Sequence, residues 1–176
     1  MKKNTSSLED ILKAAEQGHA DAQNNLGMMY QNGKGVTKDY VEAAKWWRKA
    51  AEQGHVDAEY KLGLMYRIGG GVQQNYAEAM KWYLKAAEQG HAKAQFYVGW
   101  MYTEAKGVTK DDAEAVKWYH KAAEQGNAVA QNELGEMYMR GKGVPQDCAE
   151  AAKWYEKAAE QGDKNALYKL DKMKNK

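Results

Sequence analysis

The residues of this chain that could carry metal or nucleophilic chemistry are His19, His55, His91 and His120, Cys148, and Ser6 and Ser7. His19, His55 and His91 stand 36 residues apart. If that spacing marks stacked helical units, neighbouring copies lie about 8–10 Å apart. A zinc ion holds its imidazoles at about 2.0–2.1 Å, so these three cannot share one. The next two copies are Asn127 and Asp163, which are good helix caps, and the histidines read as caps or polar loop residues. His120 reads as surface. Neither serine begins a Ser-x-x-Lys, because Glu9 and Asp10 stand three residues on, so a serine acyl-enzyme is not expected. Cys148 directly follows Asp147 at a helix start, where the helix dipole can lower a thiol pKa. Its equivalents are Tyr40, Tyr76 and Asp112, so the position reads as variable surface or semi-buried. Gly33-x-Gly35 and its copies lie between helices and lack the Gly-Lys-Ser/Thr ending of a phosphate loop, which leaves a turn. No catalytic residue, metal site or cofactor is expected.

These residues hang on a repeat. Ala50-Ala51-Glu52-Gln53-Gly54 recurs letter for letter at 14–18, 86–90, 122–126 and 158–162, each 36 residues after the last. A fixed period of roughly 20–50 residues indicates stacked supersecondary units. Residues 1–5 read as a tail and 6–18 as an N-terminal capping helix. Four units follow at 19–54, 55–90, 91–126 and 127–162, and 163–174 forms a C-terminal capping helix, its glycine position taken by Asp171. In each unit a first helix places Ala22, Leu26, Met29 and Tyr30, or their copies, on one face. Gly27, Gly63, Gly99 and Gly135 sit mid-helix at a cost of about 1 kcal/mol, best offset by close approach of a neighbouring helix. After the loop, Asp39…Glu42 and its copies form a capping-box pattern. Ala105 departs from the loop's glycine pattern, so the third loop is expected to turn differently. The second helix, 40–53, carries Trp46 and Trp47; Trp82, Trp118 and Trp154 repeat the first, Tyr83, Tyr119 and Tyr155 replace the second, and recurrence assigns them to packing. Gly54 is expected to end the helix in a left-handed conformation.

Composition narrows the partners. Lys and Arg number 26 against 24 Asp and Glu, a formal charge of +2, which is no footprint for nucleic acid. One cysteine excludes an internal disulfide. No apolar run approaches the ~18 residues of a membrane span, and Leu8-Glu9-Asp10-Ile11 interrupts any leader core. The expected compartment is the cytoplasm, or the periplasm or exterior if a leader has been removed.

The pattern Ala22…Leu26-Gly27…Tyr30…Gly33-x-Gly35-Val36…Asp39…Ala43…Trp46…Ala50-Ala51…Gly54 resembles the Sel1-like repeat, a relative of the tetratricopeptide repeat, across 14–170. The resemblance implies an all-α, right-handed α/α solenoid superhelix of antiparallel helix pairs, capped by half-repeats. It also implies a bacterial-type adaptor that holds a protein or peptide on its concave face. Cysteine-rich relatives have been labelled β-lactamases, so an envelope enzyme or β-lactam-binding protein is the alternative; this chain lacks those cysteines. The near-identity of the units also admits a consensus-derived repeat without natural ligand.

Function should then lie where the units differ. In the first helices these positions share a face, and the resemblance places that face inside the superhelix. They are Asn24, Met28, Gln31 and Asn32; Tyr60, Leu64, Arg67 and Ile68; Phe96, Trp100, Thr103 and Glu104; Asn132, Glu136, Met139 and Arg140. Tyr60, Leu64, Phe96 and Trp100 are expected either to form an exposed apolar patch or to pack between units. On the first reading a monomer binds a protein or peptide, with aromatic anchors at 60, 96 and 100 and polar selectors at Arg67, Glu104, Glu136 and Arg140.

Overall fold

The structure is a computed structural model and describes residues 7–175. Ser6 and the expected tail at 1–5 lie outside the described residues. Among those described there are ten α-helices and no strand. The chain divides into two compact units, 1–89 and 90–176. The first holds α1 (Leu8–Glu16), α2 (Ala20–Asn32), α3 (Tyr40–Glu52), α4 (Val56–Ile68) and α5 (Tyr76–Glu88). The second holds α6 (Ala92–Thr103), α7 (Asp112–Glu124), α8 (Ala128–Arg140), α9 (Cys148–Glu160) and α10 (Lys164–Lys174). The fold is an all-α repeat solenoid.

The caps follow the sequence, with one exception. Asp39, Asp111 and Asp147 each accept from two backbone N–H groups at the start of α3, α7 and α9, and Asn75 accepts from Glu78 N–H. The reciprocal half of the expected capping box is absent at these four starts. The cap's own N–H already donates to a carbonyl of the preceding helix: Asp39 to Tyr30, Asn75 to Tyr66, Asp111 to Tyr102 and Asp147 to Tyr138. The glutamates turn forward instead, and Lys45 Nζ lies 2.5 Å from Glu42 and Lys153 Nζ 2.8 Å from Glu150. Only Ser7 and Asp10, at the start of α1, form a complete box among the described helices.

The mid-helix glycines are sockets. A Cβ on Gly27 would lie 2.7 Å from the Trp47 ring, on Gly63 2.8 Å from Tyr83, on Gly99 2.7 Å from Tyr119 and on Gly135 2.6 Å from Tyr155. Those four rings are fully buried. The preceding tryptophans Trp82, Trp118 and Trp154 are buried too, while Trp46 is half-buried. Each carries a lysine one turn on: Lys49, Lys85, Lys121 and Lys157 stand 4.0, 4.6, 4.0 and 4.1 Å from the ring centres. These lysines therefore shield aromatic faces at the helix surface.

Gly54 takes φ +82°, as expected of a helix-ending glycine. The third loop is a correction. Ala105 itself adopts φ +52°, and Lys106 N–H reaches Met101 C=O as Lys34 reaches Met29, so the loop turns like the others. The difference is confined to α6, which ends one residue early at Thr103. The second loop glycine meets the preceding repeat. A Cβ on Gly71 would lie 2.0 Å from the carbonyl oxygen of Tyr40, and on Gly143 2.2 Å from that of Asp112.

A polar ladder runs beside the aromatic core. The side-chain amide of Gln53 donates to Gln23, Gln125 to Gln95 and Gln161 to Gln131, each at 2.7 Å. Gln23 in turn donates to Ala15 C=O at 3.1 Å, and Gln131 to Ala123 C=O at 3.0 Å. In the second repeat the ladder position is Glu59, 3% exposed, which accepts from Gln89 at 2.7 Å. The equivalent carbonyl, eight residues back, belongs to Ala51, and an ionised carboxylate has no proton to offer it. Burial pushes the Glu59 carboxyl up, against the opposing influence of Lys85, Gln89 and His55; Glu88 adds to the rise.

Two outcomes are expected. Gly35 and Gly71 share a left-handed backbone, but among the described residues a Cβ on Gly35 meets only the Met29 methyl at 3.3 Å. Gly35→Ala should cost about 1–2 kcal/mol of backbone strain. Gly71→Ala should cost about 1–3 kcal/mol more, because a carbonyl must move; equal losses in urea melts would refute the inter-repeat contact. Second, a carboxyl raised in the folded state supports folding below its unfolded pKa and loses that support as pH rises through the folded value. Glu59→Gln should stabilise by about 1 kcal/mol at neutral pH, one hydrogen bond gained less the Lys85 attraction lost. The gain should vanish near pH 4, and a gain independent of pH would exclude the carboxyl as its source.

Candidate functional site

The variable face is not uniformly open. In the first unit Asn24 is only 6% exposed, and Met28 and Leu64 pack on the core formed by Trp47, Leu62 and Met65. Gln31 and Arg67 are half-buried, while Asn32 and Ile68 are exposed. Tyr60 is half-buried, its ring 5.9 Å from Tyr83. In the second unit Phe96 lies 5.8 Å from Tyr119, and both Phe96 and Trp100 pack against the core around Tyr119 and Leu134. Thr103 is half-buried and Glu104 is exposed at the end of α6. The aromatic positions thus rest partly on the core of their own unit.

Glu136, Met139 and Arg140 are brought together. They line a cleft of about 850 Å³ between α8, α9 and α10, with Gln146, Cys148, Tyr155, Tyr168, Lys169, Lys172 and Met173. The Glu136 carboxylate accepts from Tyr155 Oη and Lys169 Nζ, each at 3.0 Å, and Arg140 pairs with it one turn on. Lys169 also donates to Asn132 Oδ1 at 3.1 Å, which ties the fourth variable residue of α8, 6% exposed, to this cluster although it does not line the cleft. Lys172 Nζ lies 4.6 Å from the centre of the Tyr168 ring. Burial alone would raise the Glu136 carboxyl, but hydrogen bonds from Lys169 and Tyr155 and the charges of Lys169 and Arg140 hold it below its ordinary value. Burial pushes the Tyr155 phenol up, and its hydrogen bond to Glu136 pushes the same way, so the hydroxyl stays a donor. Burial also raises Glu133, behind Lys169.

Tyr168, Lys169, Lys172 and Met173 were not singled out in the sequence, although a signal existed. Positions 24 and 28 recur after 36 residues at 60 and 64, 96 and 100, 132 and 136, and once more at 168 and 172. Reading α10 as a cap stopped the series one step short.

The other sequence candidates resolve into structure. His55 and His91 accept, through Nδ1, the N–H of Ala58 and Ala94, and Asn127 and Asp163 do the same work through oxygen. His19 makes no such side-chain bond. His120, expected at the surface, stacks edge-on to Trp154 with ring centres 5.2 Å apart. Cys148 is exposed, its Sγ 3.9 Å from Met139 Sδ. Among the described residues no three His, Cys, Asp or Glu side chains are grouped to hold a metal, and no helix is long and apolar enough to cross a membrane.

The Sel1 repeat family model matches residues 20–55, 56–91, 92–127 and 128–163. Among solved structures, a protective antigen of uropathogenic Escherichia coli strains with an SLR fold is 47% identical, with a TM-score of 0.93 over 96% of this chain and 36% of the antigen. A Sel1 repeat protein from Oxalobacter formigenes is 45% identical, with a TM-score of 0.83 over 92% of this chain and 64% of that one. The chain therefore spans about a third and just under two-thirds of these two relatives. Cysteine rich protein B of Helicobacter pylori is 27% identical, with a TM-score of 0.60 over 78% of this chain and 99% of its own. No curated protein sequence matches at a significant level.

The Glu136 cluster makes its own prediction. Lys169→Gln removes a hydrogen bond and a charge that hold the carboxylate ionised. The Glu136 titration midpoint, followed by carboxyl-carbon NMR, should move up in that variant. A group depressed in the folded state stabilises above its unfolded pKa and loses that support as pH falls through the folded value, so the variant should forfeit stability at neutral pH and little at about pH 2. An unmoved midpoint would show that Tyr155 and Arg140 suffice.

Proposed function

The chain belongs to the Sel1 repeat family, and on that premise we propose that it is a non-catalytic scaffold that holds a protein or peptide in a groove formed by its variable first-helix positions. Sel1 repeat proteins generally mediate protein–protein interactions. The observation that carries the reading for this chain is the cleft between α8, α9 and α10. It combines thioether and aromatic walls with charged rim groups, and its variable residues stand on recurrent packing. Recognition clefts are concave and mostly apolar, with a few placed polar groups. Tyr60, Phe96 and Trp100, with Arg67 and Glu104, belong to the same reading as further contacts along the variable faces, each within its own unit.

Selection from a random phage-displayed peptide library tests the reading. Recovered peptides should lose about tenfold or more in affinity on Met139→Ala combined with Arg140→Ala, the effect of truncating interface side chains. The double variant's melting temperature should stay within a few degrees, because Arg140 is exposed and Met139 packs only partly on the core. Recovery of no binder, or of binders indifferent to the two substitutions and to Trp100→Ala, would overturn the groove. Nitrocefin turnover by the purified protein would overturn the non-catalytic half.

A further inference from the structure

Resting on that scaffold reading, we propose that the cleft between α8, α9 and α10 takes an acidic peptide segment, with carboxylates on Arg140 and Lys172 and a bulky apolar side chain against Met139, Met173 and Tyr168. The internal repeats explain why this groove is open. The slot after the loop-facing turn holds Leu64 in α4, and Leu64 packs onto the core of its unit. In α10 the slot holds Lys172, whose ammonium lies over the Tyr168 ring. Lys172 is exposed where Leu64 turns inward, and the cleft's volume of about 850 Å³ is enough for a short stretch of side chains. Met139 and Met173 pack partly on the core around Tyr155 and Leu170. Their unbranched thioethers can adapt to more than one apolar shape.

Charge selects the occupant. The lining carries three cations, Arg140, Lys169 and Lys172, against one carboxylate, Glu136. Lys169 is committed at the base to Glu136 and Asn132. Arg140 is 60% exposed, and its bond to Glu136 is a one-turn surface pair, worth little in water. Its guanidinium can take a second carboxylate without stranding Glu136, which keeps Lys169 and Tyr155. Lys172, at the rim, is the second cation available to a ligand. Two rim cations beside apolar walls suit an acidic peptide better than a nucleic acid, whose phosphate backbone calls for an extended basic face.

The probe is a fluorescein-labelled octapeptide of alternating leucine and glutamate with blocked ends, compared with its glutamine twin by fluorescence anisotropy at low salt. The glutamate peptide should bind about tenfold tighter, two rim contacts each giving a factor of about three. Arg140→Gln combined with Lys172→Gln should bring the ratio near one while the melting curve holds. Glu136→Gln should tighten the glutamate peptide by removing the internal competitor. Equal binding of the two peptides, a preference that survives the double variant, or no binding of either would overturn the proposal. If the protein self-associates and the double variant alone abolishes this, the cleft's occupant is a second copy and the proposal also falls. Library-selected peptides without acidic residues that still depend on Met139 would leave the scaffold standing and remove only the acidic assignment.

Discussion

The contact on which the structure depends is an aromatic ring laid on a glycine. In every pair of helices the second helix delivers a fully buried Trp47, Tyr83, Tyr119 or Tyr155 against a first-helix glycine that has no room for a methyl group. Glycine weakens each first helix by about 1 kcal/mol relative to alanine. The ring gains far more by burial, since an aromatic removes 150–250 Å² from water. This contact sets how close the two helices come and so where each neighbouring side chain lands. Once position 27 is a socket, position 26 must point into the core. Positions 24 and 28, one turn apart, lie beside it: Tyr60 and Phe96 stand against the rings of Tyr83 and Tyr119, and Met28, Leu64 and Trp100 pack on the same cores.

The second constraint is polar. A stack of alanine-rich helices could slide, because small side chains interlock weakly. The glutamine ladder resists this: Gln53, Gln23 and Ala15 C=O form a chain across three successive helices, and Gln161, Gln131 and Ala123 C=O form its counterpart in the other unit. A buried amide that meets its partners only in one register disfavours every other register by the cost of an unmade hydrogen bond, about 1–3 kcal/mol. The loop glycines add a backbone contact with the same effect, Gly71 against Tyr40 and Gly143 against Asp112.

Much of this was legible because it is local and repeated. The helix bounds, the Asp and Asn caps, the left-handed Gly54 and the tight approach at Gly99 all follow from residues within one turn of each other, or from a rule about glycine. What was not legible depended on partners distant in sequence. Glu42 fits a capping box, but the amide it needed was already held by Tyr30 C=O, nine residues earlier. Nothing near Gln23 in the sequence marks it as buried, and its partner is Gln53, thirty residues on. Asn24 and Asn132 vary like surface residues yet are buried, because variation among repeats marks freedom from the common packing rule and not exposure. Ala105 shows the opposite error: the turn outlived the loss of its glycine because Lys106 N–H still closes on Met101 C=O.

These constraints also decide where recognition can reside. The sockets, the ladder and the loop glycines use the recurrent positions for packing, so those positions cannot change with the ligand. The slots at 28, 64, 100, 136 and 172 are outside that commitment and hold Met, Leu, Trp, Glu and Lys. An apolar residue there folds back onto its own unit, as Met28, Leu64 and Trp100 do. A charged residue cannot bury itself so cheaply, and it either recruits partners, as Glu136 recruits Tyr155 and Lys169, or stays at the rim, as Lys172 does over Tyr168. The charged slots Glu136 and Lys172 border the cleft of about 850 Å³, while the apolar slot Met28, packed on its own core, borders a smaller one of about 530 Å³ between α1 and α2. In this chain the charged slots come last, on α8 and α10, and the cleft lies between them.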